Sequence, residues 1–227
     1  REANSLRQAL GLGDAFVAMY SGNLGLAHSF DEFLAAARRL RDRQDIVFLF
    51  VGGGPRVAEL KAARDREGLT NIRFHDYFPR EELHRSLSLA DVHLISMRPE
   101  MTGIVVPGKL YGVMAAARPA LFVGPAHCES ADTIRRAGCG VTIAPGDADG
   151  VVEAITRLSA DLNLARQMGQ KGRIALLASH ERSLCCYQWI ELLRDLLRRP
   201  APVLKPAPAL RLGTAMVPAG SLGRPGQ

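Results

Sequence analysis

Short apolar runs alternate with longer amphipathic ones along this chain. The runs AFVAMYS (15–21), DIVFLFVG (45–52), NIRFHDY (71–77), DVHLISM (91–97), PALFVG (119–124) and GVTIAP (140–145) read as six strands. Most are continuously apolar, as strands are when helices cover both faces of a sheet. The segments between them have helical period. SFDEFLAAARRLRD offers Ser29 as an N-cap, with Glu32 three residues on as in a capping box. PRVAELKAARDREGL has Pro55 near its first turn and Gly68 just past its end. REELHRSLSLA, KLYGVMAAA, ESADTIRRAG and DADGVVEAITRLSADL play the same role further on. This alternation predicts an α/β fold with a doubly wound, Rossmann-like parallel six-stranded sheet. Two more helices, around 161–178 and 182–197, close the body. The second carries Leu184, Tyr187, Trp189, Leu192, Leu193 and Leu196 on one broad face, suited to packing over the domain or over a partner domain.

Charge and composition alter this picture at one end. The net charge is +6, from 29 basic and 23 acidic residues. Arg198, Arg199, Lys205, Arg211 and Arg224 account for five of these charges, and no acid follows Arg198. The last 28 residues also hold six of the 13 prolines, which marks an extended or disordered segment. The expected organisation is a folded body over 1–197 and a Pro-rich basic tail over 198–227. The body is nearly neutral and lacks a basic stripe interleaved with aromatics, so nucleic acid is not an expected partner. The tail suits peripheral contact with acidic lipid headgroups at the inner face of the plasma membrane.

No apolar run approaches the roughly 18 residues of a spanning helix. The chain opens REANSLRQAL, with no initiator Met, signal core or cleavage site, and reads as a piece of a longer protein or one trimmed at its start. Cys128, Cys139, Cys185 and Cys186 show neither CxxC nor zinc spacing, which fits thiols in a reducing cytoplasm. The six histidines show no HxxxH or HExxH pattern, and no metal is expected.

In open parallel sheets, ligands sit beyond the carboxyl ends of the strands. Four loops there stand out. The first strand runs into Ser21-Gly22-Asn23-Leu24-Gly25, whose glycines let backbone amides approach phosphate oxygens, although an ordinary βα turn uses the same residues. The second ends in Val51-Gly52-Gly53-Gly54-Pro55, a tight turn that structure alone would explain. The fourth leads through Glu100, Gly103, Ile104 and Val105 to Lys109 at the start of a helix. A carboxylate past a strand end can reach sugar hydroxyls, while small residues, a helix start and a lysine suit a diphosphate. The fifth leads to Glu129 in a first helical turn, a place where Glu also stabilises the helix by itself.

The strings YSGNLG, FLFVGGGP, NIRFHDYFPREEL, LADVHLI, GIVVPGKLYGVMAAARPALFVG and AGCGVTIAPGD occur in this order over residues 1–197. Together they resemble the C-terminal, donor-nucleotide-binding domain of retaining glycosyltransferases of the GT-B fold, family 4, of the colanic-acid and exopolysaccharide type. The resemblance implies one half of a GT-B fold. It implies transfer of a sugar from a nucleoside diphosphate sugar to a glycan or lipid-linked acceptor, with retention and with no cofactor or metal. By position it assigns the donor phosphates to Gly22, Asn23, Gly25 and Gly53, the base to Tyr77 and Phe78, and the donor sugar to Glu100. The family's second glutamate, which holds ribose, falls on Gly112, and its basic pair falls on Asn23 and His28. Lys109 stands in for that charge. The partner half, an N-terminal acceptor-binding domain, is missing from this sequence, so the fragment alone is expected to bind nucleotide weakly and transfer nothing. Two alternatives share the fold. A non-hydrolysing nucleotide-sugar epimerase would need acid/base residues not found here. A non-catalytic nucleotide-binding or scaffolding module would account for Gly112, Asn23 and His28.

Overall fold

The computed structural model describes residues 5–198. The tail expected over 198–227 therefore lies, apart from Arg198, outside the described residues. In chain order the elements are α1 (Ser5–Ala9), β1 (Phe16–Ser21), α2 (Asp31–Arg39), β2 (Ile46–Val51), α3 (Val57–Glu67), β3 (Ile72–His75), α4 (Leu83–Leu87), β4 (Val92–Ser96), α5 (Lys109–Ala115), β5 (Ala120–Val123), α6 (Glu129–Ala137), β6 (Gly140–Ile143), α7 (Ala148–Ala160), α8 (Leu162–Ser179) and α9 (Arg182–Arg198). A 3-10 turn, Pro99–Met101, lies between β4 and α5. The six strands form one sheet in the order β3-β2-β1-β4-β5-β6, with every neighbouring pair parallel. Each falls inside the run expected from the apolar pattern.

Burial explains why these runs are unbroken. Every residue of β2, β4 and β5 is buried, and so is all of β1 except Ser21. Alternate side chains serve opposite faces. Phe16, Ala18 and Tyr20 join Phe33, Ala37, Phe48 and Phe50 in one cluster, whereas Val17 and Met19 join Val47, Leu49 and Leu89 in another. A third cluster joins Ile95, Met97 and Phe122 to Leu110, Val113 and Met114 of α5. Burying a side chain of this size contributes about 1.5–3 kcal/mol, so the sheet forms a stiff platform for the loops at its ends.

At the amino ends of the strands, Arg7 clasps α1 to the sheet. It is 7% exposed, and its guanidinium donates to the backbone oxygens of Gly13, Leu89 and Ala15. The same group pairs with Asp91, whose Oδ2 also accepts the Val17 N–H at 2.9 Å.

Gly68 closes α3 in the left-handed conformation, as expected. The start of α2 differs from expectation. Phe30, not Ser29, occupies the N-cap position, with no side-chain cap hydrogen bond. The Ser29 hydroxyl donates to Glu32 at 2.9 Å, and Glu32 accepts the Gly146 N–H from the loop before α7. A distant backbone group has taken the carboxylate that a capping box would use.

The chain divides into two compact units between Cys186 and Tyr187, inside α9. In the second unit the helical stretch exposes its apolar side chains, with Leu197, Trp189 and Tyr187 the most prominent. No helix among the described residues is long and apolar enough to cross a membrane.

Candidate functional site

The winding of the sheet reverses between β1 and β4, so a crevice opens at their carboxyl ends. Its floor is built by the loops after β1 and β2. Gly22 and Gly52 adopt φ values of +131° and +126°, which side-chain-bearing residues rarely reach. A Cβ on Gly52 would stand 2.2 Å from the Gly22 carbonyl oxygen. The two loops can cross this closely only because position 52 is glycine. Hydrogen bonds then lock them together: Gly22 N–H to Val51 O, Leu24 N–H to Gly53 O and Arg56 N–H to Leu24 O.

This bonding separates the expected phosphate contacts into two groups. The Gly22 N–H is already engaged by Val51. The N–H groups of Asn23, Gly25 and Gly53 have no acceptor among the described residues; Asn23 is exposed, Gly53 half-buried and Gly25 buried. The Asn23 side chain lies between Gly25 and Gly54, while its carbonyl accepts the Tyr20 hydroxyl at 2.8 Å.

Tyr77 and Phe78 part company. The Tyr77 ring lies over Gly52 and Gly53, 3.0 Å and 3.4 Å from where their Cβ atoms would be, and is 59% exposed. Phe78 turns inward and stacks on His75, with ring centres 4.2 Å apart. Beside Gly52 a hollow of about 260 Å³ opens, lined by Val57, Lys61, Phe74, His75 and Asp76. A hollow of similar size under β6, between α7 and α8, is lined by no residue of these loops.

Lys109 is the unusual feature. Its Nζ is enclosed, 3.5 Å from the centre of the Tyr20 ring and against Gly22. An ammonium has three hydrogen-bond donors, and this one has no acceptor. The Tyr20 π-face offsets part of its desolvation. Burial nevertheless pushes its pKa down to about 7. His28 shares this environment. Its Nδ1–H donates to Ser96 O at 2.5 Å, and burial followed by the Lys109 charge lowers its pKa. Burial likewise raises the pKa of the Tyr20 phenol.

The remaining expected residues are placed less tightly. Glu100 is exposed on the 3-10 turn after β4, with no hydrogen bond or ion pair among the described residues. Gly103 is likewise exposed at φ +78°. The N–H groups of Ile104 and Val105 both bond Met101 O, so neither amide is free for a ligand. The Ile104 side chain is 76% exposed. Glu129 pairs with Arg136 at 3.4 Å and accepts the Thr133 hydroxyl, and its charge is felt by Tyr111. It is thus tied to its own helix instead of the Lys109 crevice. Helix α5 has only seven residues, so the electrostatics at its start belong mainly to the Lys109 charge. Gly112, one turn beyond Lys109, faces Leu87.

Sequence reasoning overlooked Tyr20 as the ring beneath Lys109 and Gly52 as the crossing point. An aromatic ending an apolar strand, next to a glycine loop, was the available signal for the first.

Among the described residues, no three His, Cys, Asp or Glu side chains converge as metal ligands would.

A Rossmann-like sheet with a glycine-built crevice and an enclosed ammonium at its switch point defines an α/β domain with a candidate ligand site. The chain belongs to the family Glycosyl transferases group 1, whose model matches residues 3–175. It is 28% identical over 156 residues to the putative colanic acid biosynthesis glycosyl transferase WcaI of Escherichia coli K12, a match covering 68% of this chain and 38% of that protein. It is 25% identical over 181 residues to the probable glycosyltransferase WbjE of Pseudomonas aeruginosa, covering 80% and 44%. Among solved structures it resembles Anabaena Alr3699/HepE in complex with UDP and glucose, with a TM-score of 0.73 and 16% identity, covering 86% of this chain and 53% of that one. The chain therefore spans less than half the length of these two curated relatives.

Proposed function

We propose that this chain is the donor-binding half of a retaining glycosyltransferase of cell-surface polysaccharide synthesis. It takes the sugar from a nucleoside diphosphate sugar and passes it to a glycan or lipid-linked acceptor held by an N-terminal domain. The enclosed, acceptor-less Nζ of Lys109 at the β1/β4 crevice carries this reading. An orphaned cation beside unbonded backbone N–H groups is what a diphosphate leaving group requires. Cleavage of the glycosidic bond places negative charge on the diphosphate, and a preorganised ammonium with fixed amides stabilises that charge as it develops. Lys109 and the N–H groups of Asn23, Gly25 and Gly53 supply this stabilisation, and the reading requires no metal ion. Tyr77 flanks the base beside the 260 Å³ hollow, and Glu100 faces the sugar. Glu129, engaged by Arg136, is left out of the donor site. The names of the relatives support the polysaccharide setting, and the four free thiols support a cytoplasmic one.

The test is a thermal-shift and calorimetric screen with UDP, GDP and their sugars. One diphosphate series is expected to stabilise the protein, by about 2.7 kcal/mol at a hundred times its dissociation constant. Lys109→Ala removes that stabilisation. In the full-length enzyme, Glu100→Gln lowers turnover while leaving nucleotide affinity within about twofold. No shift with any nucleotide at millimolar concentration rejects the donor-site reading.

A further inference from the structure

Arg56, Lys109 and Arg98 stand near the carboxyl ends of β1, β2 and β4, and their partners differ. Arg56, at the start of α3, is neutralised by Glu59, with contacts at 2.6 Å and 2.9 Å. Lys109 has no acceptor. Arg98, the second residue after β4, is held but not neutralised. Its backbone N–H donates to Ala27 O at 3.0 Å, and its Nε–H donates to His28 O at 3.2 Å. Among the described residues, no carboxylate lies within ion-pair distance of its guanidinium and nothing accepts from its Nη groups. Glu100, two residues along, does not fold back onto it.

Arg98 belongs to the same constellation as Lys109. Ser96 O receives the imidazole of His28, and Arg98 binds the carbonyl of His28 and that of Ala27. The end of β4 therefore grips the β1–α2 loop at three points. On the other side of that loop, the His28 ring lies 5.8 Å from the Tyr20 ring, over which Lys109 is seated. His28 thus connects the two: its carbonyl accepts from Arg98, and its ring neighbours the Tyr20 ring that carries Lys109.

A sugar-linked diphosphate carries two negative charges, and Lys109 balances one. We propose that Arg98 is the second cation of the donor site, fixing the β1–α2 loop through Nε and presenting its Nη groups to the diphosphate. A planar guanidinium reaches two oxygens at once, which a lysine cannot do. This inference rests on the donor-site reading and deepens it by dividing the diphosphate's charge between two residues from opposite sides of the His28 loop.

The test is calorimetric titration of the 227-residue chain and its Arg98→Ala, Arg98→Lys and Lys109→Ala variants with UDP, UMP, GDP and GMP. In the wild type, one diphosphate binds more tightly than its monophosphate. Arg98→Ala is expected to weaken that diphosphate at least tenfold and to shrink the diphosphate-over-monophosphate preference. Arg98→Lys, which keeps the charge but loses the fork, is expected to fall between. If Arg98→Ala leaves the diphosphate within twofold of wild type while Lys109→Ala weakens it, the Arg98 inference is overturned and the donor site stands. If Arg98→Ala and Arg98→Lys weaken monophosphate and diphosphate equally, Arg98 serves the loop alone and the inference is again overturned. Failure of the wild type to bind either diphosphate overturns the donor-site reading itself.

Discussion

The guanidinium of Arg7 and the ammonium of Lys109 are enclosed at opposite ends of the same sheet. Arg7, at the amino ends, spends its guanidinium on three backbone oxygens and on Asp91. Lys109, at the carboxyl end of β1, spends nothing and rests on an aromatic face. A buried charge is costly unless paired and hydrogen-bonded. The first cation is therefore a structural fastener. The second is a standing cost within the fold, and such costs gather where a ligand is to be met.

Removing the fastener should have the larger effect. Arg7→Ala removes the guanidinium that binds buried Asp91 and three backbone oxygens, and breaking a buried pair in this way costs about 3–5 kcal/mol. Urea unfolding should show that loss, while the folded fraction keeps its nucleotide affinity. An unchanged midpoint would remove the contrast between the two ends.

Removing the other cation should have the opposite sign. The folded-state pKa of Lys109, about 7, lies below its ordinary 10.5 because burial disfavours the ammonium. Its cost to stability is thus complete below pH 7 and fades as pH rises from 7 towards 10.5. Lys109→Met should stabilise the protein most below pH 7 and least near pH 10. The gain should be about 1 kcal/mol, well under what linkage at ~1.4 kcal/mol per pKa unit would give for the whole shift, since part of the residue is open to water. A rise of ~2–4 °C in Tm at pH 6.5 would report it. A fall in Tm there would mean that Lys109 fastens the fold as Arg7 does.

The two ends also differ in how legible they were. The strands could be read because helices cover both faces of the sheet, leaving Val47-Phe48-Leu49-Phe50 and Leu94-Ile95 without polar interruptions. The glycines at 22, 25 and 53 and the lysine at 109 could be read from their places after strands. Burial of Lys109 could not, since a lysine at a helix start looks like a solvated one until Tyr20 and Gly22 are seen around it. The Arg7 clasp was invisible for a similar reason: its carboxylate lies 84 residues away. Ser29 shows the converse error. It matched a local pattern, but Glu32 was claimed by Gly146. Local spacing marks which loops matter, whereas long-range partners decide which side chains within them remain free.

The pH dependence of donor affinity tests the unspent charge of Lys109 most directly. Calorimetry with the UDP- or GDP-sugar that binds would be run from pH 6 to 8.5, a range in which the diphosphate of the sugar nucleotide does not itself titrate. An anion beside Nζ favours the ammonium, so the bound state holds a proton that the free state sheds above about pH 7. The dissociation constant should be flat below pH 7 and then rise by up to about tenfold per pH unit, and Lys109→Arg should abolish this slope. A wild-type profile that stays level across the whole range would contradict the assignment of Lys109 to the diphosphate.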